Sequence, residues 1–295
     1  MKTLFPLLLC SLGLSALTLS AQQLDTIAIS EVKATPALLE SVQRQGKLTT
    51  MRRLVEAMDG QLIDRIASTR KFQVVSRSDL AAIFQEQDLV ASGNVDDLDP
   101  NAARPFSLAG AKYLLVTGID DFQDLTETAR FEAIGRTATR RTIRFSAVTR
   151  IYDSSTGRLL ESANFQLSNH DVDESSAFVT ADGEIAESLL VAMAREMAEK
   201  VSLRVIDVLH PATVVARSGN TVTINRGDGA GMRNGQVWDV FAVGEEMIDP
   251  GTGISLGREE VHVGVVRITR VNPLVTQAEV IEDFGIERLH VLRLK

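Results

Sequence analysis

The sequence predicts a mixed α/β domain followed by a small all-β barrel domain. Residues 24–209 alternate strand-like segments with two long stretches of helical periodicity. After Pro211 the helical periodicity disappears, and short runs of β-branched residues are separated by glycine-containing turns. Closely spaced short strands of this kind are typical of small barrels, whereas strands that alternate with helices are typical of an α/β sheet.

The first 21 residues have the pattern of a secretory signal peptide. Lys2 supplies a positive charge, residues 4–19 are mostly apolar, and Ala21 offers a cleavage position. An apolar stretch of about 15 residues is short for a bilayer span, which needs about 20. We therefore predict cleavage after Ala21 and export to the periplasm. The alternative is an uncleaved signal that stays as an N-terminal anchor. Leu19, two positions upstream of Ala21, is larger than the residue usually found there.

Cys10 is the only cysteine of the chain. It lies in the middle of the apolar stretch, whereas a lipidation cysteine follows small residues at its end. Removal of the signal peptide would leave no cysteine for disulfides, thiolate metal sites or nucleophilic catalysis. The formal net charge is −8, so the chain lacks the positive charge that attracts nucleic acid or anionic lipid.

Residues 22–210 are predicted to form the α/β domain. It begins with a strand within 24–32, and a helix of about five turns starts near Lys47. The apolar residues of that helix recur at steps of three and four and are predicted to be core: Leu48, Met51, Leu54, Val55, Met58, Leu62 and Ile66. A short strand over 72–75 follows, and Ser78 is the predicted N-cap of a second helix.

The middle of this domain is predicted to contain an exposed connection and three strands. Gly93, Pro100 and nearby aspartates mark residues 92–104 as a surface segment, and a short helix over 105–109 leads out of it. Residues 112–119 have the continuous apolar core of a buried strand. Residues 142–168 form a β-hairpin with its turn at 153–157.

A long amphipathic helix over about 184–209 closes the domain, because Pro211 cannot continue it. Residues 211–295 are predicted to form the small barrel from six strands. The expected strands are 213–216, 221–224, 237–243, 260–269, 276–281 and 288–294.

Several of these segments, in their order and spacing, resemble the CsgG family, whose best-known members form the outer-membrane channel that secretes curli subunits. The likeness covers residues 24 to about 209. It is carried by the leading strand, FQVVSRSDL at 72–80, QEQ at 85–87, the neighbourhood of Ser92 and Gly93, AKYLLVTG at 111–118 and YDSSTGRLL at 152–160. The resemblance implies an α/β sandwich with a mixed sheet and no catalysis. Residues 211–295 resemble the C-terminal barrel of the flagellar protein FlgT, through NRGDGAGMRNG at 225–235 and DPGTG at 249–253.

A secretion channel of this family inserts two β-hairpins per subunit, and each membrane strand needs about 9 to 11 residues with one apolar face. Between Ile119 and Thr142 the length barely suffices, and Glu127 interrupts the apolar positions. The second stretch, 169–180, is acidic and about half as long as a hairpin requires. The sequence therefore favours a family member that does not form a pore.

No sequence motif points to catalysis, to cofactor binding or to metal binding. The segment 227–231 (GDGAG) has no following Gly-Lys-Ser/Thr and is interpreted as turn glycines. Asp96, Asp97 and Asp99 lack calcium-loop spacing. The histidines are scattered at His170, His210, His262 and His290. The densest basic group is Arg136, Arg140, Arg141 and Arg144, interpreted as a solvated strand end, with contact to an acidic partner as the alternative.

These observations favour a non-enzymatic cell-envelope protein that acts in outer-membrane or periplasmic assembly or transport by binding other proteins. We expect no catalytic, cofactor or metal-binding residues. The expected partners are envelope proteins, among them a second copy of the chain; nucleic acid is not expected, and peripheral outer-membrane association is compatible with the sequence. The alternatives are a subunit of a curli-type secretion channel and a periplasmic enzyme whose polar cluster forms only on folding.

Overall fold

A computed structural model of the chain describes residues 24–79, 110–131, 136–172 and 185–295, and only the backbone of 129–131 and 136–140. The first of its two sheets contains β1 (Asp25–Ile29), β2 (Lys33–Ala34), β3 (Phe72–Ser76), β4 (Tyr113–Phe131), β5 (Arg136–Asp153) and β6 (Leu159–Ser168). The strand order is β3-β1-β4-β5-β6, with β2 paired to β4. β1 runs parallel to β3 and β4, and β4, β5 and β6 are antiparallel. The predicted mixed sheet is confirmed.

The helices described with this sheet are α1 (Pro36–Arg44), α2 (Leu48–Ser68) and α3 (Glu187–Leu209). The predicted apolar positions of α2 all lie in or against the core, where Leu54, Met58 and Leu62 are fully buried. From α3, Met193, Met197 and Val201 join the same cluster. Short helix α1 begins at a Pro after Thr35 and was not predicted from the sequence. No helix within the described ranges combines the length and apolarity that crossing a bilayer requires.

The second sheet is antiparallel throughout and contains β7 (Val214–Ser218), β8 (Thr221–Ile224), β9 (Val237–Ile248), β10 (Ser255–Val271), β11 (Thr276–Asp283) and β12 (Val291–Leu294). Its order is β12-β9-β10-β11-β8-β7. The two edges bond to each other, because Leu292 N donates to Ala212 O at 2.8 Å and Val214 N to His290 O at 2.9 Å. All six predicted strands are present, and β9 and β10 are longer than expected.

The second sheet contacts the first part of the chain through residues 225–231. Arg226, which is 2% exposed, donates to Asp207 of α3 at 2.6 Å. The side chain of Lys71, just after α2, donates to the carbonyl of Asn225. A Cβ on Gly229 would lie 1.9 Å from the carbonyl oxygen of Ser68. The glycines interpreted as turn residues therefore also allow the backbone to approach the end of α2 closely.

Several predictions lie outside the described residues. They are the signal peptide with Cys10, the helix that contains Leu80, the connection over 92–104 and the short helix over 105–109. The acidic stretch 169–180 is described only up to Val172.

Candidate interaction site on a projecting ribbon

Strands β4 and β5 continue together well beyond the rest of the first sheet. They pair from Tyr113 with Asp153 to Phe131 with Arg136, with one irregularity between Ile119 and Asp121. The parallel neighbour β2 ends its pairing at Ile119, and β6 begins its pairing at Arg144. Residues 120–131 and 136–143 thus form a two-stranded ribbon, called the ribbon below.

The inner face of the ribbon is packed at its base. Phe122 pairs with Phe145 and Asp124 with Ile143, and directly paired residues share one face of an antiparallel ladder. Phe122, Phe145 and Ile143 are all buried. The base of the ribbon is consequently held by core contacts, and only its distal part stands free of the first sheet.

Asp124 forms the centre of an ion-pair cluster on this inner face. Its carboxylate accepts from Arg141 through two bonds, Nε at 2.7 Å and Nη2 at 2.8 Å, and lies 2.9 Å from Lys47 Nζ. The Asp124 side chain is only 4% exposed. The two bonds from Arg141, followed by the interaction with Lys47, hold the pKa of Asp124 below its usual range. Asp124 also raises the pKa of Arg141.

This cluster joins the ribbon to the start of α2. Lys47 occupies the N-cap position, where the helix macrodipole disfavours a positive charge, and the first turn of α2 contains no acidic residue. Asp124 supplies the missing negative charge from another element. No local sequence pattern predicts this cluster, because Arg141 and Lys47 lie 17 and 77 residues from Asp124 in the chain.

Asn169 fixes the point at which β5 leaves the sheet. Its Oδ1 accepts from Ile143 N at 3.0 Å, its Nδ2 donates to Arg141 O at 3.4 Å, and its backbone N donates to Ile143 O at 2.8 Å. The residue is 2% exposed. The side chain and the backbone of Asn169 therefore add hydrogen bonds to β5 beyond the Arg144–Ser168 pair, which is the last pair of the β5–β6 ladder.

Among the described side chains of the outer face of the ribbon, polar groups surround the exposed apolar residue Leu125. Arg144 Nη2 donates to Gln123 Oε1 at 2.6 Å, and Gln123 Nε2 donates to Asp121 Oδ2 at 2.9 Å. Leu125, which is 54% exposed, and the exposed Glu127 follow on the same face. The inner face has Asp124 and Arg141, so both faces of the described ribbon include charged side chains.

The arginine-rich group at residues 136–144 is only partly described. Arg141 and Arg144 are not a solvated strand end: the Arg141 side chain is 19% exposed and binds Asp124, and Arg144 has a buried Nε. That interpretation was wrong for these two residues, because the ribbon packs against neighbouring elements at its base. The side chains of Arg136 and Arg140 lie outside the described residues.

The histidines have separate neighbours. His210 packs edge-on against Phe72 at 4.9 Å, and His262 packs edge-on against Phe241 at 5.5 Å. His290 Nδ1 accepts from the backbone N of Glu287. In the described ranges no group of three or more His, Cys, Asp or Glu side chains is placed to hold a metal ion.

The family model described as the curli production assembly/transport component CsgG matches residues 43–207, which is more than half of the chain. The chain belongs to the CsgG family. The matched residues include α2, the ribbon and most of α3, so the candidate site lies within the CsgG-family part of the chain. The second sheet lies after the matched residues.

Solved structures similar to this CsgG-family chain have low identity to it. A hypothetical protein, CT253, from Chlamydia trachomatis is 12% identical, with 63% of this chain and 98% of that chain covered and a TM-score of 0.32. A PelC dodecamer from Paraburkholderia phytofirmans is 10% identical, with 59% and 85% covered and a TM-score of 0.27. Lipoprotein GNA1162 from Neisseria meningitidis is 14% identical, with 60% and 98% covered and a TM-score of 0.23. No curated protein sequence matches significantly.

Proposed function

We propose that this protein is a non-enzymatic cell-envelope component that acts in outer-membrane or periplasmic assembly or transport by contact with other proteins. We further propose that it is exported by a cleaved signal peptide over residues 1–21 and has two domains, 22–210 and 211–295. Membership of a family of assembly and transport components supports the general role.

The observation that carries the proposal is the ribbon. It extends from the first sheet within the CsgG-family part of the chain. Its described outer face is exposed around Leu125. A projecting strand pair with mixed polar and apolar side chains is suited to contact another protein, because it offers both hydrogen-bonding groups and apolar surface.

A second candidate function is a subunit of a curli-type secretion channel. The ribbon favours it in one respect, because its β4 part spans residues 120–131, enough for a membrane strand of about 9 to 11 residues. Charge opposes it. A membrane strand needs one apolar face, and here Asp124 and Arg141 lie on one face while Glu127 and Arg144 lie on the other.

Cell fractionation and photo-crosslinking test the proposal together. The full chain is expressed in a Gram-negative host, and the mature N-terminus is determined by mass spectrometry. We expect cleavage after Ala21 and release without detergent. A photo-reactive residue at Leu125 is expected to crosslink to protein, whereas the same residue at Leu159, 47% exposed at the start of β6, serves as the matched control position.

Three results would contradict the proposal. They are lipid adducts at Leu125, ion conductance of the purified protein in planar bilayers, or release only by detergent. The first two would favour the secretion channel instead. An enzymatic activity that is lost on substitution of a single polar residue would favour the third hypothesis, a periplasmic enzyme.

A further inference from the structure

The second sheet is held to the end of α3 by a buried arginine. Arg226, which follows β8, is 2% exposed, and its Nε is buried without a hydrogen-bond partner among the described residues. Its Nη2 donates to Asp207 Oδ1 at 2.6 Å and to the carbonyl oxygen of His210 at 3.2 Å. Lys71 adds a bond from the other side, to the carbonyl of Asn225. These five residues are called the junction below.

His210 places a titratable ring inside the junction. Its backbone N donates to Ile206 O at 2.8 Å, and its ring packs edge-on against Phe72 with 4.9 Å between ring centroids. Its Nε2 is buried and has no hydrogen-bond partner in the described part of the chain. Asp25 Oδ2 is 3.9 Å from Nε2, which is too long for a hydrogen bond. Because the imidazolium form has a proton on both nitrogens, protonation would leave a buried donor without an acceptor.

The charged groups around His210 are more positive than negative. They come from β1, from the segments before β3 and β4, from α3 and from the end of β8, and they are Asp25, Lys71, Lys112, Asp207 and Arg226. Both carboxylates already have a cationic partner: Lys112 lies 2.9 Å from Asp25, and the junction arginine holds the other. A proton on His210 would therefore add a fourth cation to a site with two carboxylates.

We propose that protonation of His210 opens the junction, so that a mildly acidic medium releases the second sheet from the end of α3. The added charge lies beside Lys71 and Arg226, the two side chains that bond across the junction. Like charges weaken both bonds, and the desolvated imidazolium gains water when the junction opens. The junction is separate from the ribbon, so this opening does not depend on the proposed function.

The direction of the effect depends on which protonation state the closed junction favours. Burial has the largest influence and lowers the pKa of His210; Asp25 opposes it, and Lys71, Lys112 and Arg226 act with it. In the open junction the histidine regains its ordinary pKa of about 6.5. Closure is therefore at full strength above about pH 6.5 and weakens as the pH falls below that value.

Hydrogen exchange of the purified full chain measures the opening at pH 7.5 and 5.5, about one unit either side of the ordinary histidine pKa. The reporting amides are those of residues 208–210, at the end of α3, and 228–231, in the loop against α2. After correction for the intrinsic exchange rate, we expect their opening equilibrium to be about 3- to 10-fold larger at pH 5.5. Amides in the paired strands around Val240 and Val266 are expected not to respond.

Two substitutions test the assignment to His210. His210→Gln is expected to have the same opening equilibrium at both pH values, whereas His170→Gln, in the exposed turn after β6, is the matched control and keeps the wild-type response. Asp25→Asn is expected to enlarge the response, because it removes the carboxylate that raises the pKa of His210. This variant keeps the histidine, so it gives a decisive result even if His210→Gln loosens the junction at both pH values.

Three results would overturn the proposal. They are a wild-type opening equilibrium that is equal at both pH values, a His210→Gln variant with the wild-type response, and an Asp25→Asn variant whose response is no larger than that of the wild type. Circular dichroism verifies that each variant is folded.

Discussion

At the residue scale, Asp124 is the position whose chemistry depends most on folding. The chain gives no local reason for a lysine at the start of α2, and the structure shows that Asp124 and Arg141 meet it there. A carboxylate with two cationic partners in a 4% exposed position is a stabilising arrangement only while all three groups are charged.

We predict that Asp124→Asn lowers the free energy of unfolding by about 2 kcal/mol at neutral pH, because Lys47 and Arg141 lose their counter-charge. Urea unfolding measures the change. Since the pKa of Asp124 is lowered by folding, the wild-type advantage is present above the unfolded-state pKa and shrinks as the pH falls below about 4. Asp79→Asn, at an exposed position after β3, is the control and is expected to have little effect. Equal stability of wild type and Asp124→Asn at pH 7 would contradict the prediction.

His210, at the end of α3, is expected to make stability sensitive to pH near neutrality. Burial lowers its pKa, and nearby Lys71, Lys112 and Arg226 act in the same direction, whereas Asp25 opposes them. The unfolded chain therefore binds a proton at a higher pH than the folded chain, and stability falls as the pH drops below about 6.5.

The variant His210→Gln tests this dependence. We expect its unfolding free energy to change less between pH 7.5 and 5.5, values about one unit either side of the ordinary histidine pKa. His170→Gln, in the exposed turn after β6, is expected to keep the wild-type slope. If His210→Gln keeps that slope as well, the burial of His210 does not control it.

At the element scale, the ribbon and the β9–β10 hairpin of residues 244–259 show what periodicity can and cannot predict. Alternation correctly identified β5, β6 and the strands of the second sheet, because one face of each is buried in a core. It underestimated the lengths of β4, β5, β9 and β10, whose projecting ends extend beyond the parts of the two sheets that pair with further strands. The same property makes these ends candidate interaction surfaces.

Asn169 holds the β5 strand of the ribbon through its hydrogen bonds to Ile143 and Arg141. We predict that Asn169→Ala lowers the free energy of unfolding by about 2 kcal/mol, since Ile143 N, in a buried segment, loses its acceptor. Hydrogen exchange is expected to increase at amides of residues 141–144 before the rest of β5. Asn164→Ala, at an exposed position of β6, is the control. Unchanged exchange at 141–144 would show that the strand pairs alone hold the ribbon.

At the scale of the whole molecule, the contact between the second sheet and the helices is set by backbone proximity. Gly229 lies where a Cβ would clash with the backbone at the end of α2, 1.9 Å from the carbonyl oxygen of Ser68. Arg226 and Lys71 add hydrogen bonds across the same contact. We expect the two parts to unfold together as long as this contact is intact.

We predict that Gly229→Ala destabilises the protein by about 2 to 4 kcal/mol and separates its unfolding into two transitions, because the loop must move away from α2. Differential scanning calorimetry detects both effects. Gly60→Ala, in the middle of α2 with nothing within 4 Å of the added Cβ, is the control and is expected to stabilise by about 0.5 to 1 kcal/mol. A single transition at the wild-type temperature for Gly229→Ala would refute the prediction.

The sequence by itself determined the mixed α/β class, the helix cores and the six strands of the second sheet, because these follow from local periodicity and turn residues. Its ordered motifs also indicated the family that the family model confirms. Only the tertiary structure decided the ion-pair cluster around Asp124 and the ladder extension by Asn169. Each joins residues that are far apart in the chain, and no local pattern encodes a contact whose partners are brought together only by folding.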